Sequence, residues 1–289
     1  MGAEAISLLG DTLMAPQIPA ATQEVYQARY DEAEAALAAS PDDADALIWM
    51  GRRTAYLGRY RSAIDIYTQA ITLHPDEARL YRHRGHRYVS VRELDSAIAD
   101  FRRAAQLTDG RPDQVEPDGL PNARGIPTST LQFNIWYHLG LAHYLKGEFE
   151  AAAEAYEHCA RVSDHDDSKV ATAYWRYMTL SRLGRTDEAQ TVLNSVDEDM
   201  DLIESGGYLD LLLLFRGERT EEDILGPAGA EATLGSTTAG YGVGYWHLAN
   251  GRETEARAVY ERTLSGRAGQ WAAFGFIAAE AELARMGGA

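Results

Sequence analysis

Cysteine and lysine are almost missing from this chain of 289 residues. The one cysteine, Cys159, excludes an internal disulfide and any metal site built from cysteine alone. The only lysines are Lys146 and Lys169, against 25 arginines, a bias that reads as a bacterial, GC-rich coding sequence. Basic charge is scarce as well. Lys plus Arg is 27 and Asp plus Glu is 44, giving a net charge of −17. Phosphate neutralisation needs a basic footprint, so a chain this acidic is a poor general nucleic-acid binder, and it is repelled by anionic membrane surfaces. No run of about 18 apolar residues is present, so membrane insertion is not expected. Residues 1–20 have no basic start, and Asp11 interrupts the apolar stretch 5–14, which does not suit a signal peptide. The opening Gly2-Ala3-Glu4-Ala5 looks like the start of a processed chain, which favours an exported or periplasmic protein slightly over a cytoplasmic one.

What the chain has is self-similarity. GRYRSAIDIYTQAI (58–71), RELDSAIADFRRAA (92–105) and KGEFEAAAEAYEHCA (146–160) share a turn, a few polar residues, an alanine, and an aromatic four residues later. LGRTDEAQTVL (183–193) and NGRETEARAVYERTL (250–264) repeat the pattern. The turn residues Gly58, Arg92, Gly147, Gly184, Gly217 and Gly251 are spaced by 34, 55, 37, 33 and 34. A period near 34 means stacked supersecondary units, each unable to bury its apolar face alone.

This spacing resembles the tetratricopeptide-repeat family, whose unit is a 34-residue helix–turn–helix. Unit one (44–77) carries Leu47, Met50, Gly51, Thr54, Ala63, Tyr67, Ala70 and Pro75 at the eight signature positions. Unit two (78–109) carries Tyr81, Gly85, Tyr88, Ala97, Phe101 and Ala104, and unit three (133–166) Trp136, Leu139, Gly140, Ala152, Tyr156 and Cys159. Unit four (170–203) departs by placing Tyr177 at the small position, and unit five (203–225) places Glu222 where alanine belongs. Unit six (237–266) returns to type with Gly240, Val243, Gly244, Ala256 and Tyr260. The resemblance implies an all-α, right-handed solenoid over residues 21–289. An extended lead-in (1–20) precedes it, and a half-unit helix (22–40) opens it. A capping helix (268–285) closes it.

Two segments interrupt the period. Residues 109–130 hold four of the nine prolines and account for the spacing of 55. A loop this long is either a tolerated surface excursion or a functional lid, and Leu120, Ile126 and Leu131 offer it apolar anchors. Residues 226–236 read as a small connector.

In the family, set positions of each first helix line a concave groove. Mapped onto this sequence they include Arg52 and Tyr56 in unit one, Arg79, Arg82 and His86 in unit two, and Asn134, Tyr137 and Tyr144 in unit three. Tyr174 and Arg182 follow in unit four, and Tyr241 and Tyr245 in unit six. The full mapped surface holds four arginines, a histidine and six tyrosines against one acid, Asp45. Residues 51–103 hold 11 arginines and 6 acids, a local balance of +5 in an acidic chain. Arginine forks suit carboxylates, and tyrosine adds contact area at low entropic cost. Two readings stand for the arginines: they pair with the chain's own acids, or they attract an acidic partner segment. The family's lysine–asparagine clamp is not reproduced, with only Arg79, Arg82 and Asn134 loosely similar.

Enzymatic chemistry finds little support. There is no HExxH, P-loop or G-x-S-x-G motif. His83, His86, His138 and His143 lie at related repeat positions but lack carboxylates at ligand spacing, so neither a metal nor a cofactor is expected. Gly240, Gly242 and Gly244 lack the strand and spacing of a phosphate loop. The expected function is therefore a non-enzymatic scaffold that holds an extended, acidic peptide segment of a partner protein. One alternative is a small-molecule or enzymatic pocket closed by the 109–130 loop over units two and three, drawing on Asn122 and Arg124. Another is self-association, with a second copy filling the inner face.

Overall fold

The computed structural model describes residues 2–117, 119–226, 234–265 and 267–287. The connector expected at 226–236 and the Pro-Asp-Gly turn at 117–119 fall partly outside these residues. The chain divides into two compact units, Met1–Pro112 and Asp113–Ala289, the cut falling inside the insertion.

Unit 1 opens with an antiparallel hairpin of β1 (Ala3–Ile6) and β2 (Thr12–Met14), where an extended lead-in was expected. Alternation decides it: Ala5 and Leu13 are buried while Ile6 and Met14 face out. The Ser7 hydroxyl accepts the N–H groups of Leu9 and Asp11, which closes the turn. Five helices follow: α1 (Ala20–Ala39), α2 (Ala44–Tyr56), α3 (Tyr60–Leu73), α4 (Ala78–Ser90) and α5 (Leu94–Thr108). They pack in chain order, and α2 also lies against α4. Asp43 caps α2 by accepting the Ala46 N–H at 2.8 Å.

Unit 2 contains α6 (Leu131–Lys146), α7 (Phe149–Val162), α8 (Asp166–Arg182), α9 (Thr186–Leu193), α10 (Gly206–Arg216), α11 (Glu221–Leu225), α12 (Leu234–Ala249), α13 (Glu253–Ser265), α14 (Arg267–Gln270) and α15 (Phe274–Gly287). The capping helix expected at 268–285 is thus a short turn of helix followed by α15. The fifth pair is stunted: α11 runs five residues and buries none of them, which fits the exposed Glu222 at its alanine position.

One packing rule recurs in both units. A Cβ built on Gly51, Gly85, Gly140 or Gly244 would lie 2.4, 2.9, 2.7 or 2.3 Å from the ring of Tyr67, Phe101, Tyr156 or Tyr260 respectively. Each pair joins the first helix of a unit to its second, sixteen residues on. The turn between the two helices needs a left-handed residue, and glycine fills it at 58, 147, 184, 217 and 251. The exception is Arg92, which adopts φ 66° without being glycine.

The first helices of unit 2 form a closed row. α6 packs on α8, α8 on α10 and α10 on α12; α15 then packs on α12 and α13 and returns to α6. α15 is buried nearly all round. Phe276, Ile277, Ala278, Ala279 and Ala281 are at most 2% exposed, and so are Glu280 and Glu282.

Candidate functional site

In unit 1 the groove positions lie on α2 and α4. Arg52, Tyr56, Arg79 and His86 are half-buried, and Arg82 is buried. The guanidinium groups of Arg52 and Arg53 lie 4.4 and 4.7 Å from the Trp49 ring, a cation–π arrangement that the groove map missed. Trp49 sits beside the mapped positions, and the signal for it was spacing: Arg52 and Arg53 follow it by three and four residues on one helix, where side chains meet.

The arginines divide between the two readings. Arg79 is held by its own chain: it donates to both oxygens of Glu77, at 2.9 and 2.8 Å, and to Asp45 at 2.6 Å. Away from the groove positions, Arg84 pairs with both oxygens of Asp100. Arg52 makes no ion pair among the described residues. Arg82 Nη1 lies 3.0 Å from His83 Nδ1, which places a donor on that ring nitrogen and requires its lone pair. Burial first, then Arg82, Arg52, Arg87 and Arg79, push the His83 pKa well down. All four arginine charges act on that ring, although the charge of Arg79 is offset by Glu77 and Asp45.

In unit 2 the groove positions are interior, and the expectation of an accessible tyrosine surface there is corrected. Tyr137 is 6% exposed, Tyr245 2%, and Tyr144, Tyr174 and Tyr241 0%. The closed row of first helices turns their inner faces toward one another, and the phenol rings fill that space. Four of these five hydroxyls pair within the unit, while that of Tyr174 is buried with no hydrogen-bond partner among the described residues. Trp175 Nε1 donates to the Tyr137 hydroxyl at 2.8 Å, and that hydroxyl lies 3.3 Å from the one on Tyr208. The Tyr144 and Tyr241 hydroxyls are 2.6 Å apart, and Tyr245 donates to the Met178 carbonyl. Burial raises the pKa of Tyr137, Tyr174 and Tyr241 well above the usual phenol range. Asn134 is 7% exposed and donates to Ser129 and Glu116. Arg182 meets an acid, as expected, but an internal one. It donates to Glu282 of α15 at 2.5 Å, and Arg285 reaches the same carboxylate at 2.8 Å. The Glu-x-Glu in an otherwise apolar stretch, FGFIAAEAEL, was the available signal for this pairing.

The 109–130 segment doubles back on itself. Val115 bridges Thr130, and Leu131 donates its N–H to the Gln114 carbonyl. Arg124 forms a two-pronged pair with Asp201, at 2.7 and 2.9 Å, and Thr128 donates to Glu204 at 2.8 Å. Asn122 is spent on the backbone of residues 124–126. Asp167 completes the brace by accepting the N–H groups of Ile203, Glu204 and Ser205. The segment therefore ties the start of α6 to the approach to α10. Leu120 and Ile126, expected as anchors, are 38% and 40% exposed; Leu131 alone is buried.

Other singled-out residues have structural duties. His138 Nδ1 lies 2.5 Å from the Asn134 carbonyl, and His143 Nδ1 lies 2.6 Å from Glu148. Among the described residues no three His, Cys, Asp or Glu side chains converge on a point that could hold a metal. Gly240, Gly242 and Gly244 abut Thr263, Leu211 and Tyr260. Cys159 is fully buried, with Sγ 3.2 Å from the Thr172 hydroxyl, and burial pushes its thiol pKa up to about 12.

Tetratricopeptide-repeat family models match residues 50–112 and 133–166. The chain is a tetratricopeptide-repeat (TPR) protein. Among solved structures, a TPR protein from Parabacteroides merdae matches 89% of this chain and 92% of its own, at 14% identity and a TM-score of 0.50. YrrB, described as a TPR protein with an unusual peptide-binding site, matches 83% of this chain and 95% of its own at 14% identity and a TM-score of 0.46. MamA matches 61% of this chain and 92% of its own at 17% identity and a TM-score of 0.43. At these identities the likeness concerns the TPR fold. No curated protein sequence matches the chain. The matched segments coincide with units one to three, where the glycine–aromatic pairs are intact.

Proposed function

We propose that this TPR protein is a non-enzymatic interaction scaffold, and that the α2–α4 face of unit 1 takes an extended acidic segment of a partner protein. The observation that carries the reading is the contrast between the two units. In unit 2 α15 closes the row of first helices, and its Glu282 pairs with Arg182. Among its described residues unit 1 has no counterpart of α15: its helices pack in chain order, and Arg52 rests on Trp49 without an ion pair. An acidic segment there would supply to this face what Glu282 supplies in unit 2. The aromatic platform gives contact area, and the arginines give charge complementarity.

The test uses a fluorescein-labelled octaglutamate peptide and anisotropy on the full chain. Binding is expected at low salt and should weaken markedly between 20 and 300 mM NaCl, as roughly 10 Å screening at 0.1 M implies. Replacing Arg52 and Arg53 together by Ala should weaken it about tenfold. Unchanged binding in that variant would remove the site. A second copy of the chain as occupant would instead show as a concentration-dependent mass in sedimentation equilibrium, lost in the same variant.

A further inference from the structure

The fourth repeat departs from the pattern, and it borders a cavity. α9 runs eight residues where α7, its counterpart in unit three, runs fourteen. The glycine–aromatic pair is also inverted there, with Tyr177 at the small position and Leu193 at the large one. A half-open cavity of about 400 Å³ lies between the end of α7, the first half of α8 and the short α9. Its aliphatic floor includes Ala160, Ala173 and Val192. Its polar wall includes Arg176, Lys169, Glu188 and the hydroxyls of Ser163, Thr172, Thr191 and Ser195.

The charges around it are unevenly settled. Lys169 is paired with Asp166 at 2.9 Å. Glu188 accepts two bonds from Arg185, at 2.6 and 2.5 Å. Arg176 is half-buried and makes no hydrogen bond or ion pair among the described residues. Its charge acts on Glu188 across the cavity and, after Arg185, helps hold that carboxyl's pKa down, but no hydrogen bond fixes its fork, whose geometry matches a carboxylate. The hydroxyls complement it in the opposite sense. Thr191 and Ser195 donate their protons to the Asp187 and Val192 carbonyls, which leaves their oxygens able to accept; Ser163 donates to the Cys159 carbonyl and lies 3.0 Å from the Thr172 hydroxyl. The cavity therefore presents a cationic fork whose hydrogen-bond donors are not taken up among the described residues, beside a set of acceptors, over an aliphatic floor.

We infer that this cavity binds a small amino acid, its carboxylate on Arg176, its ammonium on the hydroxyl oxygens and Glu188, and its aliphatic side chain on Ala160, Ala173 and Val192. An anion alone would leave the acceptors unused, and an amine alone would meet Arg176 unfavourably. The site lies wholly in unit 2 and is independent of the α2–α4 proposal.

The probe is L-leucine, followed by isotope-edited NMR of the full chain, with leucinamide and inorganic phosphate as controls. L-Leucine is expected to give saturable shifts confined to residues 160–195. Leucinamide and phosphate should each bind at least tenfold more weakly, because each lacks one of the two charges. Arg176→Gln should weaken leucine about tenfold or more, the scale of a lost charge-assisted hydrogen bond. Ser195→Trp, at an exposed lining position, should block the cavity without touching the core. Absence of saturable shifts up to 20 mM leucine would overturn the inference. So would equal binding by phosphate, or leucine binding undiminished in both folded variants.

Discussion

Glu282 is the residue on which closure of unit 2 depends, and Glu282→Leu tests it. The carboxylate is 1% exposed and accepts hydrogen bonds from Arg182 and Arg285, with the Tyr241 hydroxyl 3.4 Å away. Leucine keeps most of the volume and removes the charge, leaving two guanidinium groups without their acid. Breaking a buried pair from one side costs about 3–5 kcal/mol when the survivor is sealed from water. Here the survivors keep 22% and 30% of their side-chain surface in solvent, so part of that cost is recovered by hydration. The expected loss is about 2–3 kcal/mol, or roughly 5–10 °C in Tm for a unit of this size. Urea unfolding followed by the fluorescence of the buried Trp175 and Trp271 would read it. Hydrogen exchange should place the loosening in α15, α12 and α6. The double variant Arg182→Met, Glu282→Leu should recover part of the loss, since it removes a stranded charge. A loss below about 0.5 kcal/mol, or exchange in α15 unchanged, would refute the claim that this carboxylate holds the row of helices closed.

Gly140→Ala places a methyl 2.7 Å from the Tyr156 ring and should cost about 1–3 kcal/mol in thermal unfolding, whereas Gly207→Ala, in α10 with open space around it, should gain up to about 1 kcal/mol from helix propensity. At position 92 the left-handed backbone costs a side chain about 1–2 kcal/mol, so Arg92→Gly should be more stable than Arg92→Ala by about 1 kcal/mol in urea unfolding, both having lost the bond to the Ser90 carbonyl. His83 has a depressed pKa in the folded state, so the stability it supports is complete above its unfolded pKa near 6.5 and declines as pH falls toward the folded value. Between pH 6.5 and 5.5 the loss from this one group is about 1 kcal/mol, before the carboxylates titrate, and His83→Gln should flatten that part of the stability curve.

The helix pairs were legible because their signals are local. A left-handed turn residue, an alanine and an aromatic at fixed offsets describe contacts made within one unit, and the glycine–aromatic pairs from Gly51–Tyr67 to Gly244–Tyr260 follow from the sequence spacing alone. The β-hairpin at residues 3–14 was missed because its buried set is only Ala5, Ser7 and Leu13, too short an alternation to outweigh Pro16 and Pro19 just after it. The inner tyrosines failed for a different reason. Repeat position tells which way Tyr144 or Tyr241 points, but not what stands in front of it. That depends on α15, about 140 residues from Tyr144, returning to α6. Arg182 shows the same division. Its repeat position and its need for a carboxylate were both readable, and only the source of the acid was not. A stack of repeats is specified by neighbours in sequence, whereas its closure is specified by one distant contact. Here that contact leaves a trace, the Glu-x-Glu of an otherwise apolar helix: an acid placed where no water reaches implies a cation waiting for it.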